Sequence, residues 1–180
     1  EEPLHRLLTT LKKGSTLKDV PNLLFCEEGK VELNEERVEL RFEELPSPTF
    51  DGLSMDLYLS PYPILPVLQS RGCYWGKCTF CTHSFIYGHR YGKQRTEQMV
   101  DELESLAEKY KTKYFTFSDE AVSPHSLNDV SEEILNRDVD IKSLALLKFE
   151  KVMDKELFKK MKEAGFIFLM YGLESANDRV

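Results

Sequence analysis

From residue 64 onward, short apolar segments alternate with stretches in which apolar residues recur every three or four positions. Short apolar segments are typical of buried strands, and the longer period is typical of helices with one buried face. We expect Thr96, Ser126 and Asp154 to be the N-caps of three helices. Asp129 would be the reciprocal acid of Ser126, and Gly165 would end the last helix. Strand and helix in alternation predict right-handed crossovers, and therefore an α/β fold with a parallel sheet. The predicted strands are 64–69, 114–117, 141–147 and 166–171.

The chain before residue 64 lacks this alternation. A helix is predicted over 3–13, followed by a small hairpin formed by 22–26 and 31–33. A third extended segment, 38–42, leads into a stretch rich in proline, which disfavours regular structure. We therefore predict two parts: a connector over 1–63 and a sheet domain over 64–180.

Composition and charge exclude several classes of protein. The formal net charge is −7, so general attraction to nucleic-acid phosphates is absent and nucleic acid is not expected as a partner. No apolar run reaches the roughly 18 residues of a membrane span, and no basic stretch leads into an apolar signal core. We therefore expect a cytoplasmic protein without a membrane partner. Cys26, alone in an apolar strand, is expected to be a small buried hydrophobe.

The other three cysteines lie close together, which is typical of a metal site and not of a disulfide framework. Cys73, Cys78 and Cys81 have the spacing Cys-x4-Cys-x2-Cys. Three thiolates can hold three irons of a cubane cluster and leave the fourth iron open to a ligand. Two alternatives remain at this point. A zinc site could use His83 or His89 as the fourth ligand. A plant-type ferredoxin shares the spacing but needs a fourth cysteine.

Polar residues follow the predicted strands at the points where they end. Ser118, Asp119 and Glu120 come after the second strand, Lys148 after the third, and 172–175 after the fourth. The carboxyl ends of parallel strands meet at one edge of a sheet, where α/β proteins place their chemistry. The residues from 70 to 81, 117 to 120 and 171 to 175 together resemble the motifs of radical S-adenosylmethionine enzymes. The resemblance is to the subgroup that carries a cobalamin-binding domain upstream.

The resemblance implies a partial (β/α) barrel and an enzyme that binds a 4Fe-4S cluster and S-adenosylmethionine. Cys73, Cys78 and Cys81 would ligate the cluster. One electron would cleave the sulfonium and give methionine and a 5′-deoxyadenosyl radical, which abstracts hydrogen from a substrate that the sequence does not indicate. The electron donor would be a flavodoxin or a ferredoxin, and cobalamin would bind to a further domain of the parent protein.

The resemblance also implies contacts with S-adenosylmethionine. Phe80 would lie near the adenine, Asp119 and Glu120 near the methionine amino group, and Glu174 and Ser175 near the methionine and ribose. Lys148 would pair with the carboxylate of S-adenosylmethionine. From the residues alone, the acids could equally be solvated loop residues and Glu174-Ser175 a helix cap.

The sequence departs from the family pattern in two respects. The usual spacing of the cysteines is Cys-x3-Cys-x2-Cys, so this loop has one extra residue. The family's barrel has six βα units, whereas this chain ends after its fourth predicted strand, so we expect a fragment that lacks domains of its parent and part of the usual cofactor and substrate wall. Such a fragment could bind the cluster and fail the cleavage. The competing functions are a zinc-stabilised, non-enzymatic α/β module and an electron-transfer iron-sulfur protein.

Overall fold

The computed structural model describes residues 2–34, 42–86 and 90–177. The chain divides into two compact units, Glu1–Glu44 and Leu45–Val180. The predicted extended segment 38–42 lies outside the described residues except for Phe42, which begins a 3-10 turn. No helix in the described ranges is both long enough and apolar enough to cross a membrane. The 3-10 turns are Leu17–Asp19, Phe42–Glu44 and Met55–Leu57.

The first unit contains a helix and a two-stranded hairpin, as predicted. Helix α1 spans Glu2–Lys13, and strands β1 (Leu24–Glu27) and β2 (Lys30–Leu33) pair antiparallel. Both residues of the tight turn, Glu28 and Gly29, have positive φ, which is the geometry of a type I′ hairpin. The prediction that Cys26 is buried is wrong: it lies exposed in β1, because the described residues leave most of β1 and all of β2 exposed.

The second unit has the predicted α/β class. In chain order its elements are β3 (Ile64–Val67), β4 (Ser70–Arg71), α2 (His83–Ile86), β5 (Gly92–Lys93), α3 (Thr96–Tyr110), β6 (Tyr114–Phe117), α4 (Pro124–Asn136), β7 (Lys142–Leu147), α5 (Lys155–Glu163) and β8 (Phe166–Tyr171). Four of the strands form a parallel sheet with the order β3-β6-β7-β8, which confirms the prediction. A short antiparallel ribbon, β4 with β5, follows the first strand of this sheet. The connections that contain α3, α4 and α5 are the crossovers that parallel pairing requires.

The predicted helix caps are right at one position and wrong at two. Asp154 caps α5 by accepting a hydrogen bond from the Leu157 backbone N–H at 2.9 Å. Helix α4 is capped by Ser123 and not by Ser126, because Pro124 suits the first helical position and starts the helix earlier. Thr96 is the first residue of α3, whose cap position is Arg95 and has no side-chain cap.

The core lies on one side of the sheet, where alternate strand residues pack against α3, α4 and α5. The strands show the alternating burial expected of a sheet with one covered face, most clearly in β7. Gly165 has φ +94 and no room for a side chain against the Ile141 carbonyl, so only glycine fits between α5 and β8. The largest fully buried side chains include Leu65, Met99, Leu103, Phe115, Phe117, Leu127, Ile134, Ile141 and Met161.

Residues 45–63, which belong to the second unit, pack against α3 and the start of its sheet. The hydroxyl of Tyr110 in α3 accepts a hydrogen bond from the Phe50 N–H at 2.7 Å, and the two rings meet edge to face. Farther along, Thr112 donates to the Pro63 carbonyl at 2.5 Å. Compact packing therefore begins at Leu45, and the connector that we predicted over 1–63 overlaps this unit.

Candidate functional site

A cavity of about 700 Å³ opens at the carboxyl edge of the parallel sheet. This volume lies within the range of about 300–1,000 Å³ that is typical of small-molecule sites. Its walls are formed by the cysteine loop and by residues at or after the ends of β6, β7 and β8. This agrees with the prediction that the residues after these strands meet at one edge of the sheet. Among the predicted site residues that the structure describes, all except Asp119 line this cavity. The lining residues are Cys73, Trp75, Cys78, Phe80, Cys81, His83, Ser118, Glu120, Ala121, Leu146, Leu147, Lys148, Phe149, Gly172, Leu173, Glu174 and Ser175.

A second cavity of about 730 Å³ lies between α4 and α5. Its lining includes Tyr74 and Glu150, but none of the three clustered cysteines. Because the residues that line it include no cysteine, the chemistry that the sequence predicts belongs to the first cavity.

The cysteine loop carries three free thiols to the mouth of the first cavity. Cys73 and Cys81 are half-buried, and Cys78 is exposed. Gly72 has φ +84, and a Cβ there would come closer than 3.0 Å to the Arg90 carbonyl oxygen, so the loop passes tightly against the neighbouring backbone. In the described part of the chain, no three side chains of His, Cys, Asp or Glu are already placed to hold one metal ion.

Glu120 lines the cavity and carries one buried carboxylate oxygen without a hydrogen-bond partner among the described residues. Its side chain is only 15% exposed, and Oε2 is buried with no hydrogen-bond partner among the described residues. Its other oxygen, Oε1, lies 3.9 Å from Nδ1 of His83. An unpaired buried acceptor is costly unless a ligand supplies a donor, so Glu120 is suited to bind a cationic or N–H group.

Asp119, the other acid of this pair, turns away from the cavity. It is 3% exposed, and its carboxylate accepts hydrogen bonds from the Gln69 N–H at 3.1 Å and from the N–H and hydroxyl of Ser70 at 2.6 and 2.5 Å. Burial raises the pKa of Asp119 to about 6, against the opposing effect of these hydrogen bonds. In this structure Asp119 joins the end of β6 to the chain after β3, and its predicted contact with a cofactor has no support from the geometry.

Lys148 lies over the indole of Trp75, a residue of the cysteine loop. Its ammonium is 3.9 Å from the ring centroid, and that of Lys77 is 5.4 Å from it. Both distances are within the range of a cation–π interaction. The sequence placed Lys148 at this edge correctly, but its contact with Trp75 could not be read from strand order.

Tyr74, the residue after Cys73, also contacts a residue of the segment that follows β7. Its hydroxyl donates a hydrogen bond to Oε1 of Glu150. Burial and then this hydrogen bond raise the pKa of Tyr74 well above its ordinary value, so the hydroxyl keeps its proton and remains a donor. Sequence analysis missed Glu150, because nothing in the pattern signals a partner 76 positions from Tyr74.

Phe80, Glu174 and Ser175 complete the predicted set. The ring of Phe80 is 66% exposed, so it is a surface of the cavity and not part of the core. Glu174 has φ +53. A Cβ on Gly172 would lie 2.6 Å from Oε1 of Glu174, so the absence of a side chain at Gly172 makes room for this carboxylate. Ser175 is half-buried, and its hydroxyl accepts from the Asn177 N–H at 3.1 Å.

The chain is similar to known proteins in sequence. Residues 67–180 match the Radical SAM superfamily. The chain is 32% identical over 178 residues to an uncharacterized methyltransferase of Pyrococcus horikoshii, covering 97% of this chain and 38% of that protein. It is 25% identical over 155 residues to the cytidylyl-2-hydroxyethylphosphonate methyltransferase of Streptomyces wedmorensis, covering 77% and 28%.

Two solved structures share the fold. The apo form of OxsB, a cobalamin-dependent S-adenosylmethionine radical enzyme, aligns with 99% of this chain and 27% of its own, with a TM-score of 0.69 and 22% identity. The radical S-adenosylmethionine methyltransferase TsrM of Kitasatospora setae, with cobalamin and a [4Fe-4S] cluster bound, aligns with 96% of this chain and 36% of its own, with a TM-score of 0.68 and 21% identity. This chain thus spans less than two fifths of each of these relatives. Because the superfamily match covers well over half of the chain, the protein belongs to the radical S-adenosylmethionine superfamily of enzymes.

Proposed function

We propose that Cys73, Cys78 and Cys81 hold a [4Fe-4S] cluster and that S-adenosylmethionine binds beside it in the cavity of about 700 Å³. The observation that supports this best is the donor set of that cavity. Three free cysteines and Glu120 line one space at the carboxyl edge of the sheet, and Glu120 has a carboxylate oxygen that is not paired within the described residues. Soft thiolates suit iron, and a carboxylate suits an ammonium group.

The donors fit such a cluster by their chemistry. Three cysteines leave one iron without a protein ligand, and that iron is free to bind a cofactor. Zinc has less support, because Nδ1 of His83, its predicted fourth ligand, lies 3.9 Å from Oε1 of Glu120. His89, the other predicted zinc ligand, lies outside the described residues.

Each residue of the cavity has a task in this proposal. Glu120 would accept a hydrogen bond from the methionine ammonium, and the exposed ring of Phe80 would offer a stacking surface to the adenine. The apolar side chains of Leu146, Leu147 and Leu173 would exclude water. The bound cluster would supply one electron to the sulfonium and so release methionine and a 5′-deoxyadenosyl radical.

An acidic electron donor, such as a flavodoxin or a ferredoxin, suits the basic stretch of sequence that contains the cysteine loop. Residues 57–96 contain five basic side chains and no acidic one, although the chain as a whole has a net charge of −7. Opposite charges accelerate association and make it sensitive to salt. Reduction of the cluster by such a donor should therefore slow as ionic strength rises.

The parent protein is proposed to be a methyltransferase that also uses cobalamin. The support is that both curated relatives are named methyltransferases and that both structural relatives are described with cobalamin. Cobalamin would bind to another domain of the parent protein, since the cavity at the carboxyl edge of the sheet is assigned to S-adenosylmethionine.

The proposal is tested by metal analysis of anaerobically reconstituted protein. We expect about four irons and four sulfides per chain, and production of 5′-deoxyadenosine from S-adenosylmethionine when a reductant is added. Replacing Cys78 with alanine should remove the cluster, whereas Cys26→Ala, which alters the remaining free cysteine, should retain it. Stoichiometric zinc without iron, or equal iron in the two variants, would overturn the assignment.

A further inference from the structure

The cysteine loop is connected to one short segment on the far side of the cavity. Residues 148–150, which we call the clasp segment, follow β7 directly. Lys148 contacts Trp75, and Glu150 accepts the hydrogen bond of Tyr74. Two neighbouring residues of the loop are thus held by two residues of the clasp segment, through contacts of different chemistry.

The clasp segment is itself anchored. Its middle residue, Phe149, stacks on Tyr171 at the end of β8, with 4.4 Å between ring centroids and an interplanar angle of 20°. After the segment, the Met153 N–H donates to the Glu150 carbonyl at 3.1 Å, and Asp154 caps α5. Rigid elements therefore lie on both sides of the segment, and it can restrain a loop that contacts it.

We propose that Lys148 and Glu150 are positioning residues for the cysteine loop and that they keep Cys73 at the mouth of the cavity by holding Tyr74 and Trp75. Cys73 immediately precedes these two residues, so movement of their side chains displaces its thiol. The inference rests on the proposed function only in treating Cys73 as a cluster ligand. The restraint on the loop is a property of the protein without a cluster.

The sequence supplies a reporter for this restraint. Trp75 is the only tryptophan of the chain, so tryptophan fluorescence, excited selectively over that of tyrosine, reports on the cysteine loop alone. Two ammonium groups near its ring should make iodide, an anion, a better quencher than caesium. The variants Lys148→Met and Tyr74→Phe each remove one contact and keep most of the side-chain volume. Lys148→Arg keeps the cation, and Lys151→Met removes an exposed charge next to the clasp segment as a matched control.

In the protein without a cluster, we expect lower fluorescence anisotropy in Lys148→Met and Tyr74→Phe, and a lower iodide-to-caesium quenching ratio in Lys148→Met. Lys148→Arg and Lys151→Met should match the unsubstituted protein. After reconstitution, iron release to a chelator should accelerate by about two- to fivefold in Lys148→Met, which is the strength of a single cation–π contact. Melting temperatures should remain close to that of the unsubstituted protein, because the contacts lie outside the core.

The measurements test the restraint on the loop, the positioning role of the two residues and the proposed function separately. Anisotropy that is equal in all variants would overturn the restraint, whether or not a cluster assembles. Lower anisotropy with an unchanged rate of iron release would overturn the positioning role of Lys148 and Glu150. If the unsubstituted protein binds no iron, the proposed function fails, and the fluorescence measurements still decide whether the clasp segment holds the loop.

Discussion

Gly72 gives a sharp test of how the cysteine loop is positioned. It precedes Cys73, has φ +84, and a Cβ at this position would come closer than 3.0 Å to the Arg90 carbonyl oxygen. In Gly72→Ala, the left-handed backbone would cost about 1–2 kcal/mol. Relief of the clash would cost a further 1–3 kcal/mol or so, as overpacking does. The expected loss of unfolding free energy is therefore about 2–5 kcal/mol.

Gly52 is a matched control for Gly72. Its φ is +86, and a Cβ there would meet nothing within 4 Å. Gly52→Ala should therefore lose only the backbone part, about 1–2 kcal/mol. Urea denaturation measures both losses, and iron content after reconstitution should fall in Gly72→Ala alone, because the shifted backbone displaces Cys73. Equal losses of stability, with equal iron in the two variants, would refute the reasoning.

Three further predictions concern charged residues. Glu120→Gln should weaken binding of S-adenosylmethionine to the reconstituted protein about tenfold, the usual effect of losing a charged hydrogen bond, whereas the exposed Glu97→Gln should not change the Kd measured by calorimetry. Burial raises the pKa of Asp119 to about 6 in the folded protein, so between about pH 4 and 6 this carboxyl stays protonated in the folded state but not in the unfolded state. The unfolding free energy of the protein relative to that of Asp119→Asn should therefore fall by up to about 3 kcal/mol from pH 4 to 7. A difference between the two proteins that does not change with pH would contradict this. Arg137→Met removes ion pairs with three acidic side chains of α3 and α4, so it should lower the melting temperature in low salt and by less in high salt, and an effect independent of salt would argue against the ion pairs.

The parallel sheet could be predicted because its signal is local. Each strand is a short apolar segment between helical periods, and the strands predicted over 114–117 and 166–171 have the bounds that the structure gives. The cap of α4 was misplaced because Ser123 and Ser126 are both good cap residues. The proline between them decides the start of the helix, and we gave it no weight.

The direction of Asp119 was predictable in principle. Phe115 and Phe117 are buried alternate residues of β6, and Asp119 continues the same period of two beyond the end of the strand. Adjacent Glu120 faces the cavity instead. We treated both acids as one motif and so missed that neighbouring residues at a strand end point in opposite directions.

Contacts between distant loops could not be predicted at all. The hydrogen bond of Tyr74 with Glu150 and the contact of Trp75 with Lys148 each join residues more than 70 positions apart. They depend on how the loops after β3 and β7 lie across one edge of the sheet, which periodicity does not encode. The sequence placed the cysteines and the rim residues, and the structure was needed to relate them.

The central claim is that the three clustered cysteines bind a cluster with one iron open to S-adenosylmethionine. Electron paramagnetic resonance of the reduced, reconstituted protein tests it most directly, with spectra recorded before and after S-adenosylmethionine is added. We predict a [4Fe-4S]⁺ signal whose g values shift on addition, since the cofactor binds the open iron. A signal that is absent, or that S-adenosylmethionine leaves unchanged, would contradict the claim.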